Sequence, residues 1–303
     1  MKRIVGLTIL LAVLTPVFAQ PVEKMPPTHG LTRFQSDASH SFIKEQVNFG
    51  PRVPGTASHQ ACREFLKREL AKHCDRVYEQ EFTVLNPVDN VSTRLYNIVG
   101  VINPSAEKST LIGAHYDTQA FAIGDSSEEN RKKPVPGAND GASGPALIIE
   151  MARSLKSAVP KNGFVFVLFD GTHGPVGRLN GAKRFAENLP TPKPQWGIIV
   201  DMVADETLQI FREEHSETFA KELNDRLISK AHEMEYKKYF FDQVQHKVEA
   251  EHVPLNQAGI KTIYVADRDY PAWQTLRDAP GAVTARSLQT VGDVLFNILY
   301  EER

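Results

Sequence analysis

Short apolar runs alternate along this chain with amphipathic segments, and this alternation limits the possible folds more than any other feature of the sequence. Six runs rich in Val, Ile and Phe are predicted strands: 77–84, 96–101, 110–114, 164–169, 197–203 and 262–266. Five segments with apolar residues at helical spacing are predicted helices: 58–73, 144–155, 182–189, 217–233 and 287–300. We therefore predict an α/β fold with a central, mostly parallel mixed sheet and helices on both faces.

The distribution of residue types indicates one domain. The length of 303 residues permits one large domain or two ordinary ones. No composition break, linker or internal repeat divides residues 36–303, so we predict a single domain there. Residues 20–35 are polar and contain Pro, which is typical of an exposed lead-in. The net charge of −2 does not favour a nucleic-acid partner, so we expect a small molecule or a peptide as substrate.

The N-terminus has the three-part layout of a secretory signal. Lys2 and Arg3 precede an apolar run over residues 4–14, and small residues follow at 17–19. This layout predicts a signal peptide over residues 1–19, with cleavage before Gln20. An uncleaved membrane anchor is the alternative, although the run is short for a span. We expect export to a periplasm or outside the cell, with no membrane span in the mature chain.

Polar side chains stand where predicted strands end or where a helix opens beside them. The residues concerned are His115, Asp117, Asp140, His173 and Asp201. Because ligands of open α/β sheets bind at the carboxyl ends of the strands, we expect these side chains to converge. Taken singly, Asp140 could equally be a helix N-cap, and Asp170 before Gly171 is predicted to be a turn residue. The repetition over several strands predicts a zinc site of His and Asp ligands.

An ordered series of motifs points to a known family. The chain contains, in this order, NIVGVINP from Asn97, GAHYDT from Gly113, GANDGASG from Gly137, FVLFDG from Phe166, IIVDMV from Ile198, EHVPLNQAGI from Glu251 and DYPAWQT from Asp269. The series resembles the zinc-dependent aminopeptidase superfamily, and its last two motifs favour the glutaminyl cyclase (glutaminyl-peptide cyclotransferase) branch. The resemblance covers roughly residues 36–303, but a shared fold does not by itself assign a reaction.

The resemblance also implies a set of metal ligands. The two-metal aminopeptidases hold one of their zinc ions with a His and two Asp residues, and the resemblance matches these to His115, Asp140 and Asp201. This half of the site is intact. At the other zinc, which the cyclases retain, His173 stands in place of an acid and Gln274 in place of a His. An amide oxygen is a weak neutral ligand for zinc. We therefore expect one Zn²⁺ ion, held preferentially by the intact half.

The catalytic positions depart further from the pattern. The resemblance places Thr172 where the family has the Glu that serves as general base, a function worth about 10²–10⁴ in rate. Glu251 matches an acid that hydrogen-bonds the substrate amine in the cyclases, and it could partly substitute. Thr172, Asp201 and Glu251 are the candidate catalytic residues. Trp273 and Gln274 would line the substrate pocket, although loop packing alone would also explain Trp273.

The sequence is compatible with three functions. The favoured one is a cyclotransferase with a weakened site that converts the N-terminal glutamine of peptides to pyroglutamate. The others are a catalytically inactive homologue that binds metal or peptide N-termini, and a zinc aminopeptidase. An amine nucleophile needs no activated water, so the loss of the base harms hydrolysis more than cyclisation. The expected partners are peptide or protein N-termini.

Overall fold

The structure, a computed structural model, describes residues 34–85, 90–158, 161–173 and 177–301. The predicted signal peptide over residues 1–19 and nearly all of the lead-in lie outside these residues. Among the residues that are described, no helix has the length and apolar character needed to cross a bilayer.

A six-stranded mixed sheet forms the centre of the fold. The strands of the chain are β1 (Arg76–Leu85), β2 (Ser92–Ile102), β3 (Ser109–His115), β4 (Gly163–Phe169), β5 (Trp196–Asp201), β6 (Ile210–Glu213), β7 (Phe240–His246) and β8 (Lys261–Ala266). The central sheet has the order β1-β2-β4-β3-β5-β8, whereas β6 and β7 form a small parallel pair. Strands β4, β3, β5 and β8 run parallel, and β1 and β2 add an antiparallel edge. The predicted fold class is confirmed.

Eight α-helices connect and cover these strands in the described residues. They are α1 (Ser36–Asn48), α2 (Ala57–Ala71), α3 (Glu128–Arg131), α4 (Ser143–Ser157), α5 (Asn180–Glu187), α6 (Glu214–Glu233), α7 (His252–Gln257) and α8 (Ala285–Glu301). The five predicted helices correspond to α2, α4, α5, α6 and α8, with ends that differ by at most three residues. The sequence patterns did not predict α1, α3 and α7, nor the strands β6 and β7.

Strand β4 shows why both faces of the sheet are covered. All seven of its residues are buried. Phe164, Phe166 and Leu168 pack into the core that α1, α2, α4, α6 and α8 cover, while Val165, Val167 and Phe169 pack against α5 and α7. Successive side chains of a strand point to opposite faces, so a continuous apolar run requires cover on both sides. Burial of each such Phe or Leu side chain contributes about 1.5–3 kcal/mol to the stability of the folded state.

The parallel strands deliver their following residues to one edge of the sheet. β3 ends at His115, β5 ends at Asp201 and β4 ends just before Asp170. Met202, directly after β5, adopts a φ of 48°. Non-glycine residues with positive φ are uncommon and tend to occur at functional sites. Met202 therefore turns the chain at the same edge where His115, Asp170 and Asp201 lie.

Candidate functional site

Three side chains from separate elements meet at the carboxyl edge of the sheet. His115 ends β3, Asp140 lies in the loop before α4, and His173 follows β4. His115 Nε2 lies 3.2 Å and His173 Nε2 lies 3.0 Å from Asp140 Oδ1. Each of the three offers a ligand atom within 4.8 Å of the other two. The structure thus brings together three of the four residues that the sequence suggested as metal ligands.

The donor atoms of this group fit one zinc ion. Ligands about 2 Å from a tetrahedral zinc lie about 3.3 Å from one another, close to the separations of both imidazole nitrogens from Asp140. His115 Nδ1 lies 3.1 Å from the main-chain oxygen of Asp117. Donation of the Nδ1 proton to that oxygen leaves the lone pair of Nε2 available for a metal. Asp140 Oδ2 accepts a hydrogen bond from Trp273 Nε1 at 2.9 Å, so Oδ1 is the oxygen that faces the histidines.

Asp201 lies beside this group, almost as close to His115 as Asp140 is. Its Oδ1 lies 3.3 Å from His115 Nε2, and its Oδ2 accepts a hydrogen bond of 2.6 Å from the hydroxyl of Tyr264. The half-site expected to hold the metal combined Asp201 with His115 and Asp140. His115, Asp140 and His173 are the three residues whose ligand atoms all lie within 4.8 Å of one another, and Asp201 is outside that group. The carboxylate of Asp201 is therefore oriented by both Tyr264 and His115.

Burial and neighbouring charges shift the pKa values of the three candidate ligands in opposite directions. Burial lowers the pKa of His115, but Asp201 and Asp140 outweigh it, and the pKa is well above its usual value. The pKa of His173 is likewise raised, because Asp140 outweighs the effect of burial. Burial raises the pKa of Asp140, but the two histidines hold it well below its ordinary value. A metal that binds here therefore competes with protons for the imidazoles.

The position expected to lack a general base lies next to a buried carboxylate. The hydroxyl of Thr172 donates a hydrogen bond to Glu251 Oε1. Glu251 lines the same cavity as the three candidate metal ligands, and the residue is 1% exposed. Asp117 fixes the loop, because its two carboxylate oxygens accept hydrogen bonds from the backbone N–H groups of Thr172 (3.1 Å) and His173 (2.7 Å). Thr172 and Glu251 thus form one unit beside the candidate metal site.

A cavity of about 640 Å³ opens onto these groups. Trp273 and Gln274 line it, where the resemblance placed the substrate pocket. The guanidinium of Arg268 lies 4.2 Å from the ring centre of Trp273, whose indole N–H already bonds to Asp140. Trp273 therefore bonds to the loop residue Asp140 and also lines the cavity. The main-chain oxygen of Gln274 accepts a hydrogen bond of 2.9 Å from Gly124.

Other polar residues near this edge have structural partners. Asp170, which the sequence predicts to be a turn residue, is fully buried, and its carboxylate bonds to His59 Nε2 and the Tyr116 hydroxyl, both at 2.8 Å. His252, beside Glu251, is also buried, and its Nε2 lies 3.0 Å from Glu213 Oε2. Asp170 thereby links α2 to the residue that follows β3, and His252 links α7 to the end of β6, while neither belongs to the group of candidate ligands.

Comparison with known proteins identifies the class to which this fold and site belong. Residues 97–299 match the family described as Peptidase family M28, and the chain belongs to that family. The crystal structure of Bacteroides thetaiotaomicron glutaminyl cyclase bound to N-acetylhistamine is similar, with a TM-score of 0.85 and 29% identity over 90% of this chain and all of that one. A leucine aminopeptidase precursor from the same organism gives a TM-score of 0.86 at 29% identity, covering 90% of this chain and 99% of that one.

A sequence relative and a further solved structure narrow the assignment of the chain to one branch of that class. Glutaminyl-peptide cyclotransferase from Bothrops jararaca is 22% identical over 267 residues, which cover 75% of this chain and 71% of the relative. The Tannerella forsythia glutaminyl cyclase structure has a TM-score of 0.84 and 30% identity, over 90% of this chain and all of that one. The chain lies in the glutaminyl cyclase branch of the zinc aminopeptidase-like superfamily, as the motifs predicted.

The close approach of Gly141 to His115 gives a first test of the metal site. A Cβ at Gly141 would lie 2.5 Å from two atoms of the His115 ring and 2.8 Å from the main-chain oxygen of Asp117. We predict that Gly141→Ala displaces the imidazole and raises the dissociation constant for zinc at least about tenfold, as loss of ligand orientation does elsewhere. Competition with a chromophoric chelator measures this constant.

Gly281→Ala is the matched control, because a Cβ there meets no atom within 4 Å. The control variant should bind zinc as the wild-type protein does. Equal zinc affinity in the Gly141→Ala variant would contradict the assignment of His115 as a ligand.

Proposed function

We propose that this chain is an exported, zinc-dependent glutaminyl-peptide cyclotransferase with a weakened site. One observation carries the proposal: a buried carboxylate, Glu251, lines the cavity beside the group of His115, Asp140 and His173. Cyclisation requires a polarised amide and a group that moves a proton, and this site offers residues for both. The glutaminyl cyclases among the relatives support the choice of substrate.

The proposal assigns a step of the reaction to each of these positions. Zinc bound by His115, Asp140 and His173 would polarise the side-chain amide of an N-terminal glutamine. The α-amine of the peptide attacks the amide carbon, so that a ring C–N bond forms and the bond to the departing nitrogen breaks. Glu251 accepts a proton from the attacking amine and returns it to the departing nitrogen, which leaves as ammonia. Thr172 holds the Glu251 carboxylate at the cavity wall.

The weakening arises at two positions. Thr172 cannot accept a proton at neutral pH, so Glu251 has to act from a different element than the one where the family resemblance places a base. Gln274 replaces a histidine ligand with an amide, which is a poorer donor for zinc. We expect slower cyclisation than in enzymes with the full set of residues.

Contacts in the site bear on the two alternative functions, an inactive homologue and a two-metal aminopeptidase. The bond from Thr172 occupies Oε1 of Glu251, which favours a second candidate, a catalytically inactive homologue that binds metal or peptide N-termini. A two-metal aminopeptidase receives less support. Asp140 would have to bridge both ions, but Trp273 Nε1 already bonds to its Oδ2.

Substitution of Glu251 tests the proposed proton transfer. We predict that Glu251→Gln lowers the rate of cyclisation of a glutaminyl peptide by about 10² or more, the low end of what a positioned base contributes. Zinc content should stay at the wild-type level, because Glu251 is outside the group of proposed ligands. The Thr172→Ala variant serves as the control and should remain within about tenfold of wild type, since the carboxylate persists. A Glu251→Gln variant with full activity would show that another group moves the proton.

Export is part of the proposal, and the charged, apolar and small residues of positions 1–19 support it. We predict that intact-mass analysis of the protein, recovered from the periplasm or medium of an exporting host, gives a chain that begins at Gln20. Replacement of Leu10 and Leu11 by Arg interrupts the apolar run and should leave the full-length chain in the cytoplasm. A full-length chain in the membrane fraction would instead indicate an uncleaved anchor.

A further inference from the structure

Asp278, in the segment between β8 and α8, holds the loop that carries the candidate ligand Asp140. Its Oδ1 accepts a hydrogen bond from the backbone N–H of Asn139 at 2.7 Å, and its Oδ2 accepts one from the N–H of Asp140 at 3.1 Å. The main-chain oxygen of Asp278 accepts a third, from the N–H of Ala138 at 3.1 Å. One buried residue thus accepts hydrogen bonds from three consecutive backbone N–H groups, those of residues 138–140.

The carboxylate that makes these bonds is itself held in place. The hydroxyl of Tyr270 donates a hydrogen bond of 2.9 Å to Asp278 Oδ1. Trp273, between these two residues in the chain, bonds through its indole N–H to Asp140 Oδ2. The segment from Tyr270 to Asp278 therefore fixes both the backbone and the side chain of Asp140.

These contacts matter because residues 138–140 belong to neither a helix nor a strand, so their backbone N–H groups have no partner in regular secondary structure. The N–H groups that precede a helix have no partner within it, and buried donors without partners are costly. Asp140 is 4% exposed and Asn139 is fully buried, so water cannot readily replace Asp278 as the acceptor. If the carboxylate were lost, the loop would have to move to satisfy its N–H groups, and Asp140 Oδ1 would move with it.

We propose that Asp278 is a positioning residue of the metal centre. It contacts no proposed ligand atom, but it sets the backbone from which Asp140 presents Oδ1 to His115 and His173. The inference rests on the zinc-dependent function proposed above. Residues that orient metal ligands from outside the coordination sphere typically change metal affinity 10–100-fold, and we expect an effect of that size.

Asp267 provides a matched control for this role. It is fully buried, follows β8 directly, and accepts hydrogen bonds from the backbone N–H groups of Gln209 at 2.9 Å and Asp269 at 3.0 Å. Asp267→Asn and Asp278→Asn therefore replace the same kind of buried acceptor pair. Asparagine offers one acceptor oxygen, so each variant leaves one backbone donor facing an amide group.

The experiment measures zinc affinity and stability separately in the two variants. Chelator competition on the protein from Gln20 onward should give a dissociation constant for zinc at least about tenfold above wild type for Asp278→Asn. The constant for Asp267→Asn should stay within about twofold. Urea unfolding of the zinc-free proteins should show a loss of stability in both, which separates the positioning role from a purely structural one.

Each outcome decides the inference. Wild-type affinity in Asp278→Asn, or an equal loss of affinity in Asp267→Asn, would overturn it while leaving the zinc function intact. A wild-type protein that binds no zinc would overturn both. If Asp278→Asn does not fold, Tyr270→Phe replaces it, since this variant removes one bond to the carboxylate and keeps the carboxylate itself. Zinc affinity weakened severalfold in Tyr270→Phe supports the role, and unchanged affinity overturns it.

Discussion

Asp140 Oδ1 lies within 3.2 Å of two imidazole nitrogens, and the arrangement of the site depends on this shared contact. Buried charges are tolerated only when they are paired and hydrogen-bonded, so the three residues cannot be placed independently. His115 is fixed by the end of β3, His173 by the bonds of Asp117 to its loop, and Asp140 by the segment that contains Asp278. Each of these supports comes from a different part of the chain.

The sequence was sufficient for the framework of the fold and for the approach of the three candidate ligands. Continuous apolar runs are read directly from the sequence, and the ends of parallel strands necessarily share an edge. It was not sufficient for α1, whose polar residues weaken its helical pattern, or for the short pair β6 and β7. Nor could it reveal Asp278, because a contact between Asp140 and a residue 138 positions further along the chain leaves no local pattern. The role of Tyr264 beside Asp201 was missed for the same reason.

The departures from the family pattern are consistent with one chemical interpretation. The histidine at position 173 offers a nitrogen atom beside His115 and Asp140, and the carboxylate at position 251 lines the cavity that the threonine at position 172 also lines. Hydrolysis would need an activated water and a base, whereas cyclisation uses an amine that is already nucleophilic. The site retains more of what cyclisation requires than of what peptide hydrolysis requires.

The most direct test of this account is a paired measurement on the purified mature protein: metal content, and ammonia release from a peptide with N-terminal glutamine. The same peptide with an acetylated amine is the blank, because its nitrogen cannot attack. The account predicts about one zinc per chain and ammonia release that stops when a chelator removes the metal and returns when zinc is added. Bound zinc without any ammonia release, or two zinc ions with release of an N-terminal leucine, would contradict it.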